Sequence, residues 1–127
     1  MGLPTDPSPK AVQVEFLNRI EDPDRRASAI DLFAEDAIVT RPGVRLKGRE
    51  AIADYLDGTT AGYDWVEKER DRWIETDDHA ISTGTLYGVA TDGSAFEDVR
   101  YVDICTVVDS KMTRLDIYND SHAAGVL

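Results

Sequence analysis

The spacing of apolar residues changes period once along this chain. Val12, Phe16, Leu17 and Ile20 recur at helical intervals behind Ser8-Pro9, an N-cap followed by a proline suited to a first turn, so a helix is predicted over 9–21. Asp22-Pro23 repeats that start signal, and Ala27, Ile30, Phe33 and Ala34 give a second helix one apolar face. Residues 37–40 read as a short, partly β-branched strand stopped by Pro42-Gly43. Residues 49–57 fit a third helix, with Ile52, Tyr55 and Leu56 on one side and Gly58 as its stop. After that the period is two. Residues 63–75, 79–91, 95–108 and 111–119 read as four strands, with tight turns at Asp92-Gly93 and Asp109-Ser110. Helices first and a meander afterwards predict an α+β fold, with helices packed on one face of an antiparallel sheet.

Bulk composition narrows the class. The chain has 127 residues, about one domain. That domain is expected over 9–120, between a loose tail at 1–8 that holds Pro4 and Pro7 and a second tail at 121–127. A formal net charge of −11 repels a phosphate backbone and an anionic membrane surface, so neither nucleic acid nor membrane is an expected partner. A neutral or cationic small molecule is easier to reconcile with that charge. Cys105 is the single cysteine, so an internal disulfide is impossible and a reducing compartment fits. The N-terminal residues lack a secretory apolar core, and no apolar run is long enough to span a bilayer, so a cytoplasmic location is expected.

Three segments carry a resemblance. LFAEDAIVTRPG, KGREAIADYL and FEDVRYVDICTVVDSKMTRLDIYND resemble the nuclear-transport-factor-2-like superfamily, and within it SnoaL-like domains, over about residues 10–120. The resemblance implies a cone-shaped (cystatin-like) fold: three N-terminal helices on a curved antiparallel sheet that wraps a pocket. It also implies a range of uses, from ketosteroid isomerases, polyketide cyclases and epoxide hydrolases to binding and scaffold proteins without chemistry. No subfamily matches throughout. The isomerase base sits just before a proline, where this chain has Arg41 before Pro42, and Phe16 lies near the place of the isomerase tyrosine. The isomerase's protonated aspartic acid falls on or beside Asp103. The last-strand aspartate of limonene-epoxide-hydrolase-like members, and that of SnoaL-type cyclases, is matched by Asp116. The epoxide hydrolases' Arg/Asp pair falls near Thr83 and Thr85 and is absent.

The last hairpin supplies the candidate chemistry. A two-residue turn at Asp109-Ser110 places Asp103 opposite Asp116, Tyr101 opposite Tyr118 and Cys105 opposite Arg114, all on one face. Opposed carboxylates, with Cβ atoms about 4.5–5.5 Å apart, repel unless they are solvated, neutralised by a cation such as Arg114, or share a proton. A shared proton gives an acid and a base together, which isomerisation, cyclisation or epoxide opening needs. A turn at Asp92-Gly93 places Ser82 opposite Asp103 and Gly84 opposite Tyr101, and small residues there suggest a recess. Taken alone, Val102, Ile104, Leu115 and Ile117 mark the other face as core and put both acids in water. The resemblance reverses this, lining a pocket with the polar face and leaving the apolar face for a second subunit.

Asp103 and Asp116 are therefore the candidate catalytic residues. Tyr101, Tyr118, Arg41, Arg114, Trp65, Tyr87 and Tyr55 are candidate substrate contacts. Alternating charges in YDWVEKERDRWIE read as solvated strand faces. His79 and His122 are isolated, so no metal is expected, and no base stands near Cys105. The expected function is cofactor-independent acid/base chemistry on an apolar, oxygenated small molecule such as a polyketide or terpenoid, in a homodimer. A binding or assembly module is the alternative.

Overall fold

The computed structural model describes residues 8–57 and 63–120. Both tails, His122 and the expected helix stop Gly58 lie outside those residues, apart from Ser8. Helix α1 (Pro9–Glu21) starts as its sequence dictates: Ser8 Oγ accepts a hydrogen bond from the Ala11 amide at 3.2 Å, and Pro9 occupies the first turn.

Asp22-Pro23 does not open a second α-helix. Asp22 closes α1, and its side chain and carbonyl accept the Asp24 and Arg25 amides, which makes a turn. A 3₁₀ helix of 7 residues, Arg26–Leu32, follows without a side-chain cap. Phe33 and Ala34, expected in that helix, belong to strand β1 (Phe33–Arg41). Phe33 is fully buried and meets Phe16 edge-to-face at 5.5 Å, a contact that fixes where the strand begins.

Pro42-Gly43 is a hairpin rather than a stop. Gly43 takes φ 76°, and β1 pairs antiparallel with β2 (Val44–Lys47), a mostly exposed strand with no apolar pattern to announce it. Helix α2 (Arg49–Asp57) buries Ile52 and Leu56. Strands β3 (Tyr63–Glu75), β4 (His79–Ala90), β5 (Ala95–Val108) and β6 (Lys111–Asn119) complete the sheet, in the order β2-β1-β6-β5-β4-β3.

The sheet is mixed, not wholly antiparallel: β1 runs parallel to β6. That pairing covers the edge the meander leaves open on its last strand. The three helical segments pack on one face, α1 across β3, β4 and β5, and α2 beside β1 and β2. Among the described residues, nothing covers the other face, and no helix is long and apolar enough to cross a membrane.

Two glycines shape the far end of the sheet. A Cβ on Gly84 would come within 2.0 Å of the Glu69 carbonyl oxygen, and one on Gly88 within 2.2 Å of that of Trp65. The close approach that glycine permits here is by β3 backbone. It lets the β3–β4 hairpin curl over the inner face.

The main core joins Val12, Phe16, Leu32, Phe33, Ile52 and Leu115 between the helices and the central strands. A smaller cluster of Leu86, Val99 and Tyr101 lies toward the β3 end. Each fully buried aliphatic or aromatic side chain contributes about 1.5–3 kcal/mol relative to exposure.

Candidate functional site

A cavity of about 1110 Å³ opens between the helices and the curled sheet. Phe16, Leu17 and Ile20 from α1, with Leu86 and Ile117 from the sheet, form its apolar walls. Arg41, Tyr55, Lys68 and Arg70 supply the polar groups facing inward.

The two candidate carboxylates do not meet. The Asp109-Ser110 turn forms as expected, with both residues at positive φ and Val108 opposite Lys111. The pairing then slips by one residue between Val107 and Thr106. Thr113 is the extra residue on β6, a β-bulge. Beyond it Ile117 faces Asp103, Asp116 faces Ile104, Tyr118 faces Val102 and Arg114 faces Thr106. A one-residue slip turns every later side chain over. Asp103 consequently points inward and Asp116 outward, and the predicted opposition is corrected. The apolar set divides too: Leu115 and Ile117 face inward, while Val102 and Ile104 stay outside.

The β4–β5 register stands as expected, with Ser82 opposite Asp103 and Gly84 opposite Tyr101. It does so because two departures cancel. Near the turn Val89 pairs with Ala95, one residue off a two-residue loop, and a bulge between Leu86 and Gly88 restores the count. Asp98, in the bulged stretch of β5, sits at φ 57°.

Asp103 is buried, and its Oδ2 accepts a hydrogen bond from the Lys68 ammonium. Its Oδ1 has no partner. Lys68 belongs to the cavity lining and Asp103 does not, so the carboxylate lies behind the ammonium that faces the cavity. Lys68 Nζ also stands 4.5 Å from the centre of the Tyr101 ring, a cation–π contact that holds it from the other side. The Tyr101 hydroxyl is buried near Ser82 without a well-formed hydrogen bond. Burial, then the nearby Asp103 charge, raises its pKa above the ordinary tyrosine value.

On the opposite wall, the Arg41 guanidinium lies 5.6 Å from the Tyr55 ring centre. Burial raises the Tyr55 pKa, with the Arg41 charge working against the shift. The position of the isomerase base thus carries a cation that lines the cavity. Deeper in, Ser82 Oγ donates to Gln13 Oε1 at 2.7 Å and Gln13 Nε2 donates to the Ala80 carbonyl. Cys105 lies beside this network, its pKa pushed up to about 12 by burial, so it is an inert thiol.

The remaining candidates divide by face. Arg41 and Tyr55 line the cavity, Trp65 sits at its rim, and Tyr101 lies beneath it. Tyr87 is on the outer face, donating to Glu67 at 2.7 Å and meeting Trp65 edge-to-face. Tyr118 is outside and 56% exposed. Arg114 is also outside, its Nε donating to Asp116 at 2.8 Å, while Thr40 Oγ1 donates to the same carboxylate at 2.6 Å. Burial alone would raise the Asp116 pKa, but these hydrogen bonds outweigh it and hold the carboxyl below the usual range.

Lys68 and Arg70 are the residues the sequence reading missed. Both share a β3 face with Val66, which pairs with Gly88. Lys68 and Arg70 therefore line the cavity, Lys68 half-buried and Arg70 exposed at its edge, while Arg72 lies on the outer face.

A family model described as "SnoaL-like domain" matches residues 14–115. No curated protein matches the chain. Among solved structures, a nuclear-transport-factor-2-like protein of unknown function from Exiguobacterium sp. 255-15 superposes with a TM-score of 0.73 at 19% identity, over 86% of this chain and 98% of that one. A phenazine biosynthesis-related protein from Pseudomonas aeruginosa gives 0.74 at 16% identity, over 90% and 80%. TerC, co-crystallised with polyporic acid, gives 0.70 at 18% identity, over 90% and 95%. At such identities the likeness is one of fold.

Proposed function

This chain belongs to the SnoaL-like domain family, and from that premise we propose that it takes an apolar, oxygen-bearing small molecule into the cavity and performs proton-transfer chemistry on it. The reaction belongs to the class of cyclisation, isomerisation or epoxide opening. The observation that carries this reading is the Lys68–Asp103 pair: a cavity-facing ammonium backed by a buried carboxylate with one oxygen unpartnered.

Lys68 stabilises the oxyanion, enolate or alkoxide, that develops when a substrate proton moves. Tyr55 is a second donor on the facing wall. Asp103 holds the ammonium in place, and its unpartnered oxygen, one layer behind the cavity lining, is the proton acceptor of this reading. In this reading Asp116 is a structural carboxylate of the outer face.

Nitrobenzisoxazole, whose ring opens when a base removes its one acidic proton, tests the reading without knowledge of the natural substrate. Turnover is expected from the wild type and loss of most of it from Asp103→Asn and Lys68→Met, with the fold retained in both. Equal turnover by all three proteins removes the assignment.

A second reading, a binding module without chemistry, is favoured by one observation. The acids that line the cavity, Glu21, Asp64 and Glu67, are all exposed, and among the described residues no buried carboxylate is part of its lining. Tight binding of an apolar ligand with no turnover of the probe selects it. Polyporic acid, named with the TerC structure, is a sensible first ligand.

We also propose a second copy of this chain on the outer face of the sheet. Ile74, Ile81, Ile104 and Val102 form an apolar band there, Ile74 is 46% exposed, and Tyr118 borders the band.

A further inference from the structure

The charge of the whole chain and the charge of its cavity have opposite signs. Acidic residues outnumber basic ones, 25 to 14, which points to a neutral or cationic ligand. Yet four basic side chains, Arg26, Arg41, Lys68 and Arg70, line the cavity. The acids in the lining sit in exposed positions, as Arg70 does, whereas Arg26, Arg41 and Lys68 are half-buried, and Glu67 accepts its hydrogen bond from Tyr87 on the outer side. Screening cuts off charges beyond about 8 Å at physiological salt, so the lining decides the local field and distant acids do not. A concave, partly apolar wall focuses that field further.

Two of the four cations are already answered. Lys68 pairs with Asp103, and Arg26 Nε donates to the Ile20 carbonyl at 2.8 Å. Arg41 and Arg70 form no ion pair among the described residues. Arg41, on β1, is half-buried and lies over the Tyr55 ring, while Arg70, on β3 near the other end of the sheet, is exposed at the edge of the cavity. Tyr55 holds the Arg41 guanidinium through its ring and hydroxyl, but no carboxylate among the described residues neutralises its charge. Its planar fork fits a carboxylate, which accepts two parallel hydrogen bonds from it.

We propose that the ligand of this cavity is an organic carboxylate, whose anionic end is received by Arg41, with Arg70 as the second cation on the facing wall. Its apolar body lies along Phe16, Leu17, Ile20, Leu86 and Ile117. The inference rests on the ligand-binding part of the reading above and narrows it. The acid/base step is not needed for it.

The test is a matched pair of fluorescent probes, pyrenebutyrate and pyrenebutanol, which share a body and differ in the charged end. Titrated into the whole chain at neutral pH and low salt, the acid is expected to bind about tenfold more tightly than the alcohol, the scale of one charge-assisted hydrogen-bond pair. Arg41→Gln removes most of that preference without changing alcohol binding, Arg70→Gln removes less, and added salt narrows the gap. Arg72→Gln, on the outer face of the same strand, carries the same loss of charge and leaves the preference intact. Circular dichroism checks that each variant is folded. If Arg41→Gln does not fold, the wild-type preference and its salt dependence decide alone. Equal affinity for the two probes, or a preference untouched by salt and by both cavity variants, overturns the carboxylate assignment while leaving a binding cavity. Failure of both probes to bind overturns the cavity reading and this inference together.

Discussion

Met112 and Leu115 stand three positions apart in β6, yet both side chains are buried on the inner face. An unbroken strand puts such a pair on opposite faces. Thr113, the bulged residue between them, absorbs the odd step. Deleting Thr113 therefore leaves Met112, Leu115 and Ile117 in strict alternation on their present face. The expected cost is small, about 1 kcal/mol for the lost local twist and contacts. Deleting Asp116, in the regular part of the strand, turns Ile117 outward and is expected to cost more than about 3 kcal/mol or to abolish folding. Urea unfolding of both deletions checks the order. A severe Thr113 deletion beside a mild Asp116 deletion contradicts the register.

The Lys68–Asp103 pair separates two kinds of instability. Lys68→Met leaves a buried carboxylate uncompensated and is expected to cost about 2 kcal/mol, less than a fully buried pair because the ammonium is partly exposed. The double variant Lys68→Met/Asp103→Asn is expected to recover part of that loss, since no charge remains to be answered. A double-mutant cycle by denaturant unfolding measures the coupling. Additive losses show that the two groups do not interact.

Most of the architecture is legible in the sequence, and the missing parts have identifiable causes. Ser8-Pro9 and the two-residue period of the later strands announce elements by local chemistry, and these form. β2 is invisible because pairing with β1, rather than any apolar alternation of its own, makes it a strand. The site differs from the expected one for a narrower reason. Asp109-Ser110 specifies the turn correctly, but carrying that register inward assumes an unbroken strand. The gap between Met112 and Leu115, against the regular step from Leu115 to Ile117, was the available signal. Charge alternation does not say which face meets the helices, so it gives no sign that Lys68 and Arg70 line the cavity. Tertiary curl decides that, and Gly84 and Gly88 permit it.

Gly84 should be intolerant of even one methyl group. Its added Cβ would meet the Glu69 carbonyl oxygen, a backbone atom that cannot rotate aside. Gly84→Ala is expected to cost at least about 2 kcal/mol, with the curl of β3 disturbed. Thermal unfolding gives the loss, and reduced affinity for an apolar cavity probe reports the altered shape. A neutral substitution shows that β3 stands farther from β4 than described.

The outer apolar band predicts a self-associating protein. Ile104 sits at its centre, between Ile81 and Asp116 on the neighbouring strands. Ile104→Glu is expected to leave the fold intact, since the side chain points away from the core, and to convert a dimer into a monomer. Sedimentation equilibrium of both proteins decides it. A wild type that stays monomeric at high concentration removes the second copy.

Asp116 should contribute stability with a defined dependence on pH. Its folded pKa lies below the ordinary 3.8, since hydrogen bonds from Arg114 and Thr40 outweigh burial. A carboxyl depressed on folding stabilises the native state at pH values above its unfolded pKa. That contribution is lost as pH falls toward the folded pKa, because the unfolded chain takes up the proton first. Asp116→Asn is therefore expected to lower stability by about 1 kcal/mol at neutral pH, with the gap to wild type closing in acid below 3.8. Thr40→Val, which removes one donor, should move the Asp116 titration upward in a carboxyl-carbon NMR series and reproduce part of the loss. A gap between Asp116→Asn and wild type that stays constant from neutral pH into acid shows that the carboxylate contributes through shape and not through charge.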